Sequence, residues 1–151
     1  MAFNQPSLKG RALRLLSQRE HSRVELERKL RQHESEPGEL ARALDELMAK
    51  GFIDEQRVLE SVVHRRASRL GASRVKQELQ AKGLDGEAIA RAVADLRETE
   101  GARAREVWRK KFGEPAPDAA GRAKQMRFLA TRGFSAEVIR RVVGGASEGD
   151  D

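Results

Sequence analysis

Residues 74–89 read RVKQELQAKGLDGEAI, and the pattern returns at residues 124–139 as KQMRFLATRGFSAEVI. Leu79, Gly83, Glu87, Ile89 and Val93 fall on Leu129, Gly133, Glu137, Ile139 and Val143, a constant offset of 50. Upstream, an offset of 49 sets Leu26, Leu30, Leu40, Ala43, Leu44 and Leu47 on Val75, Leu79, Ile89, Ala92, Val93 and Leu96. A sustained offset means one supersecondary unit used three times. It predicts an elongated modular array with a surface suited to gripping something long.

Within each copy apolar residues recur at spacings of three and four, and no segment alternates with period two. The chain therefore reads as all-α, with about nine helices. The punctuation agrees. Ser22 and Glu25 form a capping-box pattern, and Asp85 and Ser135 stand where they would cap the helices that follow. Gly51, Gly83 and Gly133 each follow a lysine or arginine and precede Phe52, Leu84 or Phe134. A glycine in that setting stops a helix by taking the left-handed conformation.

Grouping the helices in threes predicts a leading helix in residues 1–21 and a first unit at 22–70. A second unit follows at 71–112, a Pro-containing linker at 113–118 and a truncated third unit at 119–145. Residues 146–151, rich in Gly, Ser and acid, read as a disordered tail.

The chain has 151 residues, 38% hydrophobic and 36% charged, with no cysteine. That excludes disulfides, thiolate catalysis and Cys-based metal sites. No apolar run approaches the ~20 residues of a membrane span, and no secretory signal pattern opens the chain. A soluble, cytoplasmic protein without membrane contact is expected, with a monomer as the simplest state. His21, His33 and His64 fall on three separate segments and form no metal-binding or acid–base pair. His21, just before the Ser22 cap, is expected at the surface. No phosphate-binding loop is present. The reading is a non-enzyme that needs no cofactor.

Net charge is +6, unevenly placed. Residues 1–60 hold 11 Lys/Arg and 11 Asp/Glu, residues 61–127 hold 16 and 9, and residues 128–151 hold 3 and 4. The positive excess thus sits mid-chain, where it suits a polyanion or an acidic protein surface. The candidate contact residues are Arg65, Arg69, Arg74, Lys76, Arg105, Arg109, Lys110, Arg122, Lys124 and Arg127. The plainer alternative is a solvated surface with local ion pairs, Glu98, Glu100 and Glu106 neutralising part of the cluster around Arg105. Trp108 could stack on a base, but core packing is the preferred reading. Phe52, Phe128 and Phe134 are expected in the core or in turns.

Three stretches carry a family resemblance: residues 11–30 (RALRLLSQREHSRVELERKL) with 44–55 (LDELMAKGFIDE), residues 70–74 with 78–84 (LGASR, ELQAKGL), and residues 122–135 (RAKQMRFLATRGFS). In order and spacing they resemble the RecX family of bacterial RecA regulators, over roughly residues 8–145. Two departures are visible. Residues 32–38 are unusually polar and acidic, and Gln56-Arg57-Val58 lacks the aromatic residue common there. The resemblance implies three tandem three-helix units that bind RecA in the groove of its DNA filament, with single- or double-stranded DNA as a further partner. It implies inhibition of strand exchange, ATP hydrolysis and co-protease activity, in recombination, DNA repair and the SOS response.

The rival is a stand-alone DNA-binding protein built from helix-turn-helix-like repeats, since the turns at 82–85 and 132–135 have that spacing. Against it, Glu87 and Glu137 stand at the start of the would-be recognition helices, where carboxylates repel the phosphates flanking the groove.

Overall fold

A computed structural model describes residues 5–144. Among these residues there are nine α-helices and no strands: α1 (Leu8–Gln18), α2 (Arg23–Leu30), α3 (Glu39–Ala49), α4 (Glu55–Arg66), α5 (Ala72–Ala81), α6 (Gly86–Glu98), α7 (Glu100–Lys111), α8 (Ala119–Thr131) and α9 (Ala136–Val143). A single 3₁₀ turn, Arg31–His33, extends α2.

The helices start where the caps indicate. Ser22 accepts from the Glu25 N–H while the Glu25 carboxylate accepts from the Ser22 N–H. Asp85 accepts from Ala88 and Ser135 from Val138. Each such cap is worth about 1 kcal/mol.

Three cores lie in series. The first joins Leu8 and Ala12 of α1 to Leu26, Leu30, Leu40, Leu44, Leu47 and Ile53. The second joins Val58, Leu59 and Val62 of α4 to Val75, Leu79, Ile89, Val93 and Leu96. In the third, Ala104 of α7 packs with Leu129, Phe134, Ile139, Val142 and Val143. Full burial of a leucine or isoleucine contributes about 1.5–3 kcal/mol, so these cores decide which helices form a unit.

They group the helices as α1–α3, α4–α6 and α7–α9, one helix out of phase with the partition at 22–70, 71–112 and 119–145. The leading helix belongs to the first unit, and the third unit is complete rather than truncated. The segment 113–118 lies inside the third unit, between α7 and α8, and is not an inter-unit linker. Two physical facts explain the shift. A periodic pattern has no marked beginning, and the recurring residues belong to the second and third helices of each unit. Connection length also misleads: Thr99 alone separates α6 from α7 across a unit boundary. The expected tail, 146–151, lies outside the described residues.

Neighbouring units dock by a repeated device. The first residue of each following unit's first helix is a glutamate that accepts from the first N–H of the preceding unit's second helix. Arg23 N–H donates to Glu55 Oε2 at 3.1 Å, and Ala72 N–H donates to Glu100 Oε1 at 3.0 Å. The turn glycine of the following unit sits against that same helix. A Cβ on Gly83 would lie 2.3 Å from Val24 Cγ2, and one on Gly133 would lie 2.3 Å from Arg74 Cγ. An arginine then reaches across: Arg28 Nη1 donates to Ala81 O at 2.8 Å and Arg74 Nη1 to Thr131 O at 2.6 Å.

One side chain departs from expectation, and a second takes the turn rather than the core. His21 is only 1% exposed. Its Nδ1 lies 3.0 Å from Arg19 O and its Nε2 3.3 Å from Lys29 Nζ, an arrangement that fits the neutral ring. Phe52 is 47% exposed, because the turn after Gly51 directs Ile53 rather than Phe52 into the core.

Candidate functional site

The junction of the second and third units forms an open cleft of about 480 Å³. The turn after α4 supplies Ser68 and Arg69, α7 supplies Val107, Lys110 and Lys111, and α8 supplies Phe128, with Arg132 at its C-cap. Four cations and no carboxylate line it.

Buried polar contacts bring these segments together. Glu100, 2% exposed, accepts from Ala72 N–H with Oε1 and from Ser135 N–H with Oε2, at 3.0 and 2.8 Å. One carboxylate thus ties the N-termini of α5 and α9, where the helix dipoles favour negative charge. It is a structural group, and of the basic cluster around Arg105 it faces the Arg103 charge. Gly71 N–H donates to Arg132 O at 2.8 Å. Arg103 donates to Ala67 O, Leu70 O and Leu96 O at 2.7–2.8 Å, closing the carbonyl ends of α4 and α6. Burial lowers the pKa of Arg103 from the ordinary guanidinium value, and the Glu100 charge opposes that shift.

Phe128 is half-buried and stands edge-on to Phe112, with ring centroids 5.4 Å apart. The Arg132 guanidinium lies 4.6 Å and the Lys111 ammonium 5.4 Å from its centroid. Cation–π contacts of this kind contribute about 0.5–1 kcal/mol each at exposed sites. Among the described residues Arg69, Lys111 and Arg132 have no carboxylate partner, and Lys110 has only Glu106 at 4.0 Å. Such a cleft can hold a phosphate or carboxylate and present an aromatic ring beside it.

Of the ten candidate residues, the cleft gathers Arg69 and Lys110. Arg74 spans to Thr131 O, as described, and so joins units. Lys76 lies on a separate groove between α5 and α6, with Leu84, Ile89 and Arg97. Arg65 is exposed on α4, 3.4 Å from Ser61 Oγ. Arg105 and Arg109, four residues apart, share the face of α7 turned away from Val107, since each residue advances 100°. There Arg109 pairs with Glu106 at 2.6 Å, which raises the arginine pKa and lowers the glutamate's. Arg122, Lys124 and Arg127 are exposed on α8 outside the cleft lining. The ten are therefore distributed over several faces.

Sequence reasoning omitted Lys111 and Arg132 from the contact set. Arg132 reads as a helix-end cation preceding Gly133. Its spacing of four from Phe128 is the signal that places both on one helix face. Trp108 is a core residue, as preferred: its Nε1–H donates 2.9 Å to Gln125 Oε1, and Gln125 Nε2 donates to Glu114 O. Glu87 and Glu137 do stand in the first turns of α6 and α9. Among the described residues no His/Asp/Glu group is placed to hold a metal ion, and no helix is long and apolar enough to cross a membrane.

Comparison with known proteins accounts for the architecture. Family models for the first, second and third three-helix domains of RecX match residues 9–47, 54–93 and 98–143, in the same phase as the three cores. The Regulatory protein RecX of Leptothrix cholodnii is 52% identical over 145 residues, covering 95% of this chain and 92% of its own. That of Herminiimonas arsenicoxydans is 50% identical over the full length of both chains. The crystal structure of RecX from Lactobacillus salivarius superposes with a TM-score of 0.69 at 22% identity, covering 91% of this chain and 92% of that one. A second crystal structure, of a regulatory protein RecX, gives a TM-score of 0.75 at 21% identity, over 91% of this chain and 71% of that one. With all three domains matched in order and half of the residues shared with full-length relatives, the chain belongs to the RecX family of regulatory proteins.

Proposed function

We propose that this protein is a non-catalytic regulator of RecA that docks as a monomer along the groove of the RecA–DNA filament. There it restrains recombinase, ATPase and co-protease activity. The observation that carries the reading is the in-order match to all three RecX domains across residues 9–143. A carboxylate-free cationic cleft between two units supports it, because a filament groove presents both phosphates and acidic protein surface.

Arg69, Lys110, Lys111 and Arg132 form the centre of the contact surface. Arg132 and Lys111 lie over the Phe128 ring, and a base of single-stranded DNA that displaces one of them can stack there, a contact worth about 1–3 kcal/mol. Arg65, Lys76, Arg105, Arg109, Arg122, Lys124 and Arg127 extend the basic surface toward duplex or filament. Linked units touching several protomers bind more tightly than each contact alone, because each engagement raises the effective concentration of the next.

The test adds the protein to RecA filaments on single-stranded DNA and follows ATP hydrolysis. A dose-dependent fall is expected, relieved in an Arg69→Glu/Arg132→Glu variant whose helicity is unchanged. No effect of the wild-type protein at several-fold excess would refute the RecA reading. Unchanged inhibition by the variant would remove the cleft from it.

A further inference from the structure

The first unit is charge-balanced in sequence, yet its carboxylates are taken up by ion pairs while one of its grooves is lined by cations. Glu25 pairs with Arg19 and Lys82, Glu27 and Asp45 with Arg23, and Glu46 with Lys9 and Lys50. Glu20 and Asp54 pair with Arg57. A groove of about 430 Å³ between α1 and α2 is lined by Arg11, Arg14, Leu15, Lys29, Leu30 and His33, and no carboxylate is among its lining residues. The side chains of Arg11 and Arg14 have no ion-pair partner among the described residues, and Lys29 meets only the neutral acceptor Nε2 of His21.

We infer that this groove is a docking site for an acidic peptide segment carrying an aliphatic side chain. Charge complementarity selects an anion: Arg11, Arg14 and Lys29 line one groove with no carboxylate among its lining residues, and a ligand bearing carboxylates supplies the counter-charge. The floor selects its kind. Pro6, Leu15 and Leu30 are apolar, and the lining holds no phenylalanine, tyrosine or tryptophan, its one ring system of that kind being the small imidazole of His33. An apolar floor beneath a cationic rim buries a leucine-like side chain while flanking carboxylates reach the arginines. Arg11 and Arg14, three apart on α1, stand one helical turn apart, the spacing of acidic residues at i and i+3 on a partner helix. The groove lies on the first unit, and the inference does not depend on the RecA reading.

The experiment uses the full chain and two fluorescein-labelled probes, a short glutamate–leucine peptide and an oligothymidylate, read by anisotropy. The peptide is expected to bind, and a glutamine–leucine analogue to bind far less. Arg11→Glu/Arg14→Glu should weaken the peptide about tenfold or more and leave the oligothymidylate unchanged. Arg132→Glu should leave the peptide unchanged. Should the double reversal disturb folding by circular dichroism, the exposed Arg14→Gln replacement is read instead, with a loss of about threefold. Absence of peptide binding, or peptide affinity indifferent to the arginine variants, overturns the assignment. So does a parallel loss of oligothymidylate binding, which would make nucleic acid the occupant.

Discussion

Replacing Glu100 by alanine should uncouple the third unit from the second. The carboxylate is nearly inaccessible and accepts two N–H bonds, from Ala72 and Ser135, at 3.0 and 2.8 Å. A hydrogen bond to a charged group contributes about 1.5–3 kcal/mol, and removing the acceptor leaves both amides unsatisfied. The Arg103 guanidinium, held by three carbonyls, loses the opposing Glu100 charge as well. Together these give about 3–5 kcal/mol, a large share of the ~5–15 kcal/mol that holds a typical domain folded. The equivalent residue at the other junction, Glu55, is half-exposed and makes one such bond. Its replacement should cost about 1 kcal/mol or less. Urea unfolding measures both. Trp108, the sole tryptophan, packs against the third core and reports that unit by fluorescence, while far-UV circular dichroism reports all nine helices. For Glu100→Ala the tryptophan transition should move to lower urea by about 2 M. A shift below about 0.5 M, or an equal effect of Glu55→Ala, would refute the reasoning.

Three further outcomes follow from the same contacts. Burial alone would raise the Glu25 pKa, but the Arg19 guanidinium, the Ser22 N–H and the Lys82 ammonium outweigh it and hold the carboxyl at about 2. Its folded value is depressed, so its contribution is complete above the ordinary carboxylate value of 4.5 and is lost as pH falls toward 2. Urea midpoints between those limits should fall less steeply for Glu25→Gln than for wild type, and parallel curves would contradict this. Burial lowers the His21 pKa below 6.5, the first among several causes, so its stabilising neutral form is lost only as pH drops beneath that value. Ring-proton NMR that found His21 titrating at or above 6.5 would count against the buried neutral ring. Gly51 and Gly133 both have positive φ, at 81° and 89°, but only at Gly133 would a Cβ meet neighbours, Arg74 Cγ and N at 2.3 and 2.8 Å. Alanine at either position costs about 1–2 kcal/mol in backbone strain, and Gly133→Ala should cost about 1–3 kcal/mol more through overpacking. Equal urea midpoints for the two variants would deny that the turn docks on α5.

The helices, their caps and their glycine stops are local features, and the residues around them state them directly. Leu40, Leu44 and Leu47 can only make a helical stripe, and Ser22 with Glu25 can only help where a helix begins. The three-fold recurrence of Leu30, Leu79 and Leu129 is equally plain. Its phase is not, because α4 and α7 contribute few of the recurring residues and their partners are set by which apolar face meets which. The basic character of the middle of the chain was also legible. Its division was not: Arg103 and Arg74 close helix ends, Arg109 is matched by Glu106, and Arg69 and Arg132, 63 positions apart, meet at one cleft.

The sequence by itself determined the all-helical repeat, its family and the sign of its surface, since these rest on spacing and count. Only the tertiary structure decided where the units begin, that Glu100 and His21 are interior, and that the balanced first unit has a cationic groove. Burial and pairing arise between segments distant along the chain. A charge count over 60 neighbouring residues cannot tell an arginine that faces a carboxylate from one that lines a groove without any.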